Sequence, residues 1–261
     1  MVDRLKDKVV LVTGSTLGIG KAVAMLFLAE GATVVLNSHR DDADAAAVMD
    51  ALAGEVAAGR ALYLRADISR RGEVEAMVAA ILARYGRIDA LVNNAGVNVF
   101  TDPLAMTGED WARCFAVDLE GAWNVIRAAL PSMLERGYGN IVNIASVHGH
   151  KIIPGCFPYP VAKHALIGLT KSLGIEYAAR GIRVNSISPG LILTESAEAW
   201  LASCPDPAAE RARQVNLLPV RRIGEPLEVA YTALFLASDE ARFINAADIL
   251  IDGGRSQLYS E

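Results

Sequence analysis

With 261 residues, 52% of them apolar and 21% charged, the chain has the size and composition of one large α/β domain with buried strands, which excludes a disordered segment. A net charge of −5 leaves no surplus of Lys and Arg to neutralise a phosphate backbone, so a small ligand is expected rather than nucleic acid. Cys114, Cys156 and Cys204 form no pair at metal spacing, and their odd number argues against a disulfide framework. No window reaches the roughly 18 apolar residues of a membrane span and no signal-peptide core opens the chain, so cytoplasmic placement away from membranes is expected.

In chain order, β-branched runs alternate with stretches of helical periodicity. KVVLVTG begins at 8, ATVVLN at 32, ALYLRAD at 61, IDALVNN at 88, NIVNIAS at 140, IRVNSIS at 182 and DILIDGG at 248. Between the first six lie segments such as KAVAMLFLAEG and EVEAMVAAILARYG, which close on Gly31 and Gly86. This alternation predicts right-handed crossovers and a single doubly wound, Rossmann-type α/β domain over 1–261, with a seven-stranded parallel sheet. Residues 194–224, with Pro205, Pro207 and Pro219, are the least regular part. They leave the end of the sixth strand, where ligands of open sheets sit, and form a candidate lid.

The first strand runs into Thr13-Gly14-Ser15-Thr16-Leu17-Gly18-Ile19-Gly20 and then a helix. Glycines are needed where the turn is tight, where backbone approaches a pyrophosphate and where helix packs close to strand, with the helix N-terminus facing the anion. Further on stand Asn93-Asn94-Ala95-Gly96 after the fourth strand, Ser146 at the end of the fifth, Tyr159-Pro160-Val161-Ala162-Lys163, and Pro189-Gly190 followed by Thr194. In order and spacing these resemble the short-chain dehydrogenase/reductase family over essentially the whole chain.

The resemblance implies a nicotinamide-dependent oxidoreductase. Gly14, Gly18 and Gly20 would line the pyrophosphate, with Ser15, Thr16, Leu17 and Ile19 completing the turn. Asp67 and Ile68 would sit by the adenine, Asn93, Ala95 and Gly96 on the adenosine side, and Pro189, Gly190, Ile192 and Thr194 at the nicotinamide end. Asp67 also reads as a helix N-cap before ISRRGEVEAM. A homotetramer is implied as well, joined through the helices of 111–136 and 159–180 and the C-terminal strand.

Tyr159 and Lys163 are four apart, so on one helix they share a face. Oxidising an alcohol needs a base for the hydroxyl proton, and a free phenol, with a reference pKa near 10, is too rarely ionised at neutral pH. An ammonium about 4 Å away at an effective dielectric of about 20 favours the phenolate by roughly 4 kcal/mol. Ser146 would orient the reacting oxygen, and Lys163 would also bind the cofactor ribose. Pro160 is tolerable only near a helix start, which puts Tyr159 at the positive N-terminal end. The family commonly has Asn in the helix after N-N-A-G, as part of a proton relay; here Asp118 stands there, which can hold water and favour the ammonium but cannot donate as an amide does.

Around the reacting oxygen we expect Asn98, His148, Cys156 and the 194–224 segment, with His150 and Lys151 solvated. The polar run Ser146 to Lys151 favours a hydroxyl-rich or anionic substrate. Ser146-Val147-His148, the Asn37 and Arg40 region and Asp252-Gly253-Gly254 resemble sugar 1-dehydrogenases of the glucose dehydrogenase type, hence a sugar or sugar acid. The alternative is a 3-oxoacyl thioester reductase, which needs a basic entrance for a carrier phosphate; a silent dinucleotide-binding regulator is a third reading, opposed by the intact Ser146, Tyr159 and Lys163. The NAD-selecting carboxylate of the second strand is missing, since Ser38 occupies that position, while Arg40, Asn37 and Ser38 could hold a 2′-phosphate. NADP is therefore expected over NAD, with dual use, although Leu17 stands where many NADP enzymes have Arg. Asp41 and Asp42 read as the first turn of the next helix.

Overall fold

The computed structural model describes residues 3–40 and 43–259. The expected seven strands form one parallel sheet: β1 (Val9–Val12), β2 (Thr33–Ser38), β3 (Ala61–Arg65), β4 (Ala90–Asn93), β5 (Gly139–Ile144), β6 (Ile182–Pro189) and β7 (Asp248–Ile251). Their order is β3-β2-β1-β4-β5-β6-β7, so the chain reverses direction across the sheet between β1 and β4. At such a point the loops leaving two neighbouring strands part and open a crevice at their carboxyl ends. Every residue of β1, β4 and β5 is buried, as expected of strands covered on both faces and read as continuous apolar runs.

The helices are α1 (Gly18–Ala29), α2 (Ala43–Ala51), α3 (Ala53–Ala57), α4 (Arg71–Tyr85), α5 (Gly108–Phe115), α6 (Ala122–Arg136), α7 (Tyr159–Tyr177), α8 (Glu195–Ser203), α9 (Pro207–Leu217) and α10 (Pro226–Ala237). One face of the sheet buries Val10, Val12 and Val34 against Val23 and Phe27 of α1 and Ala230 and Leu234 of α10. The other buries Leu11, Val35 and Leu91 against Met77 and Ile81 of α4 and Ile126 and Met133 of α6, with Leu169 and Leu173 of α7 packed alongside. Alternate residues of one strand thus feed two separate cores, which fixes the helices on opposite sides. Gly86 ends α4 with φ of 72°, the left-handed conformation a glycine adopts without cost.

Residues 194–224 hold the helical pair α8 and α9. They are packed on a small cluster of their own, Leu201, Leu218 and Ile223 with Leu191, Leu193 and Val215. The two ends are clasped together, Leu193 N–H donating to Gly224 O at 2.8 Å and Gly224 N–H to Leu191 O at 3.1 Å. Asp41 and Asp42 lie outside the described residues. Among the described residues no helix is long and apolar enough to cross a membrane.

Candidate active site

The crevice is floored by the glycine turn. Thr13 Oγ1 accepts from the N–H groups of Asn94 (3.0 Å) and Ala95 (3.1 Å), and Asn94 Nδ2 donates to the carbonyls of Thr13 (3.1 Å) and Gly14 (2.9 Å). These bonds sew the loop after β4 onto the loop after β1. A Cβ on Gly20 would lie 2.2 Å from Gly14 O and one on Gly14, at φ of 60°, 2.8 Å from Ala95 Cα, so neither position admits a larger residue. Thr13 and Asn94 escaped the sequence reading as site residues, although both lie in the motifs it quoted.

Whether this cradle suits a dinucleotide is decided by its donors. Leu17 precedes α1 and cannot cap it, so the first N–H groups of the helix need an anion from elsewhere. The Gly18 N–H already holds one, donating to Glu195 Oε2 at 2.9 Å. Asn93 is 4% exposed and donates through Nδ2 to Asn143 Oδ1, but its own Oδ1 has no partner among the described residues. The anion seat fits a phosphate-bearing ligand, and the unpaired acceptor of Asn93 fits a hydrogen-bond donor such as a hydroxyl of the same ligand.

Ser15 and Thr16 are buried within the turn, Leu17 is exposed, and Ile19 packs on the core beneath. Asp67 caps no helix: its Oδ1 accepts from Ser69 N–H (2.9 Å) and Oγ (2.7 Å), bracing the loop before α4. The Ile68 side chain is core, packed at Gly121, which leaves only its backbone for a ligand. At the end of β2, Asn37 departs from expectation. Its Nδ2 donates to Leu64 O and Ala66 O, both at 3.1 Å, tying β2 to the chain leaving β3, so its amide is not available to a 2′-phosphate. Arg40 is exposed, and its Nε donates to His39 Nε2 at 2.9 Å. Ser38 Oγ accepts from Arg40 N–H at 3.3 Å.

Beyond β6, Pro189 ends the strand, and a Cβ on Gly190 would lie 2.9 Å from Asp252 Cβ, so a glycine is needed where the chain passes β7. Ile192 is buried at the clasp with Gly224. Thr194 caps α8, accepting from Ala197 N–H at 3.2 Å, and its methyl lies against Gly18.

Tyr159 opens α7 with Pro160 behind it, as the proline demanded, and Lys163 follows one turn later with its Nζ 5.3 Å from the Tyr159 ring centre. Lys163 is 4% exposed, donating to Ile144 O at 3.2 Å and pairing with Asp118 Oδ1 at 3.2 Å. Burial pulls the Lys163 ammonium down, but Tyr159 and Asp118 outweigh it and the ammonium is held above its ordinary range. Burial dominates at Asp118 and pushes its carboxyl above the usual carboxylate range, against the pull of Lys163. Asp118 Oδ1 also accepts from Val97 N–H at 3.2 Å, and Cys114 Sγ lies 3.9 Å from Oδ2. Burial pushes the Cys114 thiol up to about 11, so it remains protonated beside the pair.

Two local features bring Asp118 there. The backbone widens to a π-helix over Ala116–Gly121 between α5 and α6, which rotates this residue relative to a regular helix. Opposite it a Cβ on Gly96 would lie 2.7 Å from Asp118 Oδ1, so glycine is needed for the approach.

Ser146 ends the chain leaving β5, with its Oγ accepting from His148 N–H at 3.2 Å, and the His148 ring stands edge-on to Tyr159 at 6.1 Å. The His148 Nδ1 contacts Lys151 O at 3.2 Å; a carbonyl only accepts, so Nδ1 carries the proton. Burial lowers the His148 pKa, leaving a neutral ring whose Nε2 is an acceptor. The other ring against Tyr159 belongs to Phe100, edge-on at 5.6 Å, a residue no sequence signal marked. Asn98 is exposed two residues earlier, and Cys156 is buried, its thiol raised by that burial. His150 and Lys151 are exposed as expected, and the His150 Nε2 also contacts Asp248 Oδ2 at 2.7 Å. The loops that carry Phe100 and lead from Lys151 into Tyr159 are more apolar than the run Ser146 to Lys151 suggested, with Leu104, Ile152 and Ile153 all exposed.

A family model described as enoyl-(acyl carrier protein) reductase matches residues 14–256. The chain is 40% identical over 254 residues to the oxidoreductase UcpA of Salmonella typhimurium, covering 96% of this chain and 95% of that one. The crystal structure of a levodione reductase superposes with a TM-score of 0.92 at 35% identity, covering 98% of this chain and all (100%) of that one. The ligand-free aldohexose dehydrogenase of Thermoplasma acidophilum gives 0.88 at 34% identity, covering 100% of this chain and 98% of that one. With the glycine turn, the N-N-A-G loop and Ser146 following the carboxyl ends of the central strands β1, β4 and β5, and Tyr159 and Lys163 on α7, these matches identify the chain as a member of the short-chain dehydrogenase/reductase family, an NAD(P)-dependent oxidoreductase of secondary alcohols and carbonyls.

Proposed function

We propose that residues 1–261 form one catalytic domain that oxidises a hydroxyl, or in reverse reduces a carbonyl, on a sugar or sugar acid, with 194–224 as its lid. The observation that carries this reading is the flanking of Tyr159 by the apolar ring of Phe100 and the neutral His148 imidazole. One wall is suited to the C–H face of a compact ring and the other to its hydroxyls, the usual mixture of a small-ligand site. Tyr159 takes the hydroxyl proton, and the Lys163 ammonium with the α7 N-terminus supplies positive potential at the phenol oxygen. Ser146 Oγ holds the reacting oxygen, His148 Nε2 accepts from a substrate hydroxyl, and Asp118 keeps Lys163 charged and in place. A bound nicotinamide supplies the hydride acceptor or donor. Asn98 and Cys156 belong to the surrounding loops in this reading, with Phe100 taking the contact expected of them. A 3-oxoacyl thioester reductase would need a basic entrance, and the exposed Leu104, Ile152 and Ile153 on the loops either side of Tyr159 in the chain supply no such charge.

The cofactor in this reading is NADP, with NAD also accepted. Ser38 brings no carboxylate to repel a 2′-phosphate, and Arg40, with Nε on His39, keeps its terminal nitrogens for one. Following cofactor absorbance over sugars, polyols, hydroxy acids and oxoacyl thioesters with both coenzymes tests substrate and cofactor together. Turnover is expected with a sugar or sugar acid, and Arg40→Ala is expected to lose roughly tenfold in kcat/KM with NADP and little with NAD, the scale of one charge-assisted contact. Turnover confined to oxoacyl thioesters, or a strong parental preference for NAD, would show this reading wrong.

A homotetramer and cytoplasmic placement complete the proposal. The tetramer is supported by a shallow apolar depression of Leu119, Trp123, Leu169 and Leu173 between the helices expected to pair, and by exposed Tyr231 on α10 and Phe243 beyond it. Sedimentation at micromolar concentration is expected to give a tetramer, and a monomer contradicts it.

A further inference from the structure

Glu195 occupies the seat that a dinucleotide's phosphates need. It is the first residue of α8, yet its carboxylate does not serve its own helix; it reaches across to accept from the Gly18 N–H at 2.9 Å. Among the described residues it has no cationic partner. Thr194, beside it, has its methyl against Gly18, so the start of α8 is pinned to the glycine turn through two consecutive residues.

From this we infer that Glu195 is an internal stand-in for the cofactor's pyrophosphate, an affinity-determining residue that holds α8 and α9 on the glycine turn until the cofactor displaces it. The inference rests on the reading of that turn as a dinucleotide site. A phosphate at the Gly18 N–H meets the carboxylate on the same donor, and like charges a hydrogen bond apart repel, so phosphate binding there expels Glu195. Its expulsion is cheap, because an acidic side chain in the first turn of α8 is favourable where it then lies, and Thr194 continues to cap that helix through Ala197 N–H. The helical pair has its own core of Leu201, Leu218 and Ile223, and its two chain ends meet at Ile192 and Gly224, with Val220 and Pro219 resting against Gly253 and Gly254, so it can pivot on that base once Glu195 lets go of the turn. Cofactor arrival and movement of the segment over the substrate become one event.

The test uses ADP, which carries the adenosine and diphosphate but no nicotinamide, titrated calorimetrically into the parent and Glu195→Gln. Removing the competing charge is expected to tighten ADP binding by about two- to fivefold, the scale of one anion at a helix end. Adenosine, lacking phosphates, is expected to bind both proteins equally. Hydrogen exchange gives the second reading: ADP is expected to speed exchange across 194–203 in the parent, towards the rate of the ligand-free variant. Equal or weaker ADP binding by Glu195→Gln, or ADP slowing exchange across 194–203 in the parent, overturns the inference while leaving the dinucleotide site standing. Absence of ADP binding by both proteins overturns the dinucleotide reading and this inference with it.

Discussion

Tyr159→Phe is expected to lower turnover by at least about 100-fold while leaving coenzyme binding within a few-fold of the parent. The substitution removes one oxygen and keeps the ring that packs edge-on to Phe100 at 5.6 Å and to His148 at 6.1 Å. The fold and the cofactor cradle, built from Thr13, Gly14, Gly20 and Asn94, are therefore untouched. What is lost is the group that accepts the substrate proton, and proton transfer by a positioned side chain is worth roughly 100- to 10,000-fold. Steady-state turnover alongside calorimetric coenzyme binding separates the two effects. Activity within a few-fold of the parent would sink the mechanism.

The second large effect concerns the buried pair. Asp118→Ala leaves the Lys163 ammonium, 4% exposed, with Ile144 O but no counter-ion, and breaking a buried ion pair from one side costs about 3–5 kcal/mol. The sign of its pH dependence follows from the shift. A lysine whose folded pKa is raised contributes stability that is full below its unfolded value, about 10.4, and is lost as pH rises through the folded one. In the Ala variant burial acts unopposed by Asp118 and the lysine gains by losing its proton, so the stability gap should be widest near pH 7 and narrow towards pH 11. Denaturant unfolding at the two pH values measures it, and a gap of under about 1 kcal/mol at pH 7 removes the pair's structural importance.

Asp118→Asn keeps an oxygen for Val97 N–H and Lys163 but removes the negative charge. The potential of Lys163 at the phenol is then less cancelled, so the base limb of alcohol oxidation should move to lower pH. An unmoved profile would make Asp118 a residue of helix structure only.

Much of this molecule was legible without coordinates because the signals are local. The seven strands follow from β-branched runs, buried on both faces and separated by helical periodicity. Tyr159 and Lys163 share a face because four residues make about one turn, and Pro160 fixed where that helix starts. The glycine turn announced itself because residues without a Cβ are needed there for steric reasons that hold in any such turn.

What only the tertiary structure decided depends on which side chains distant segments bring face to face. Asp118 meets Lys163 because a π-helical run turns it inward and Gly96 clears its path, neither of which has a period in the sequence. Phe100 reaches Tyr159 because its loop is bridged to Pro158 across the mouth of the site. Asn37 is spent on the carbonyls of Leu64 and Ala66, since the register of β2 with β3 leaves those groups within reach of its amide. Glu195 lies on Gly18 because the chain leaving β6 crosses back over the turn after β1. Side-chain direction and strand register are global properties, so residue type and spacing alone could not fix these four contacts.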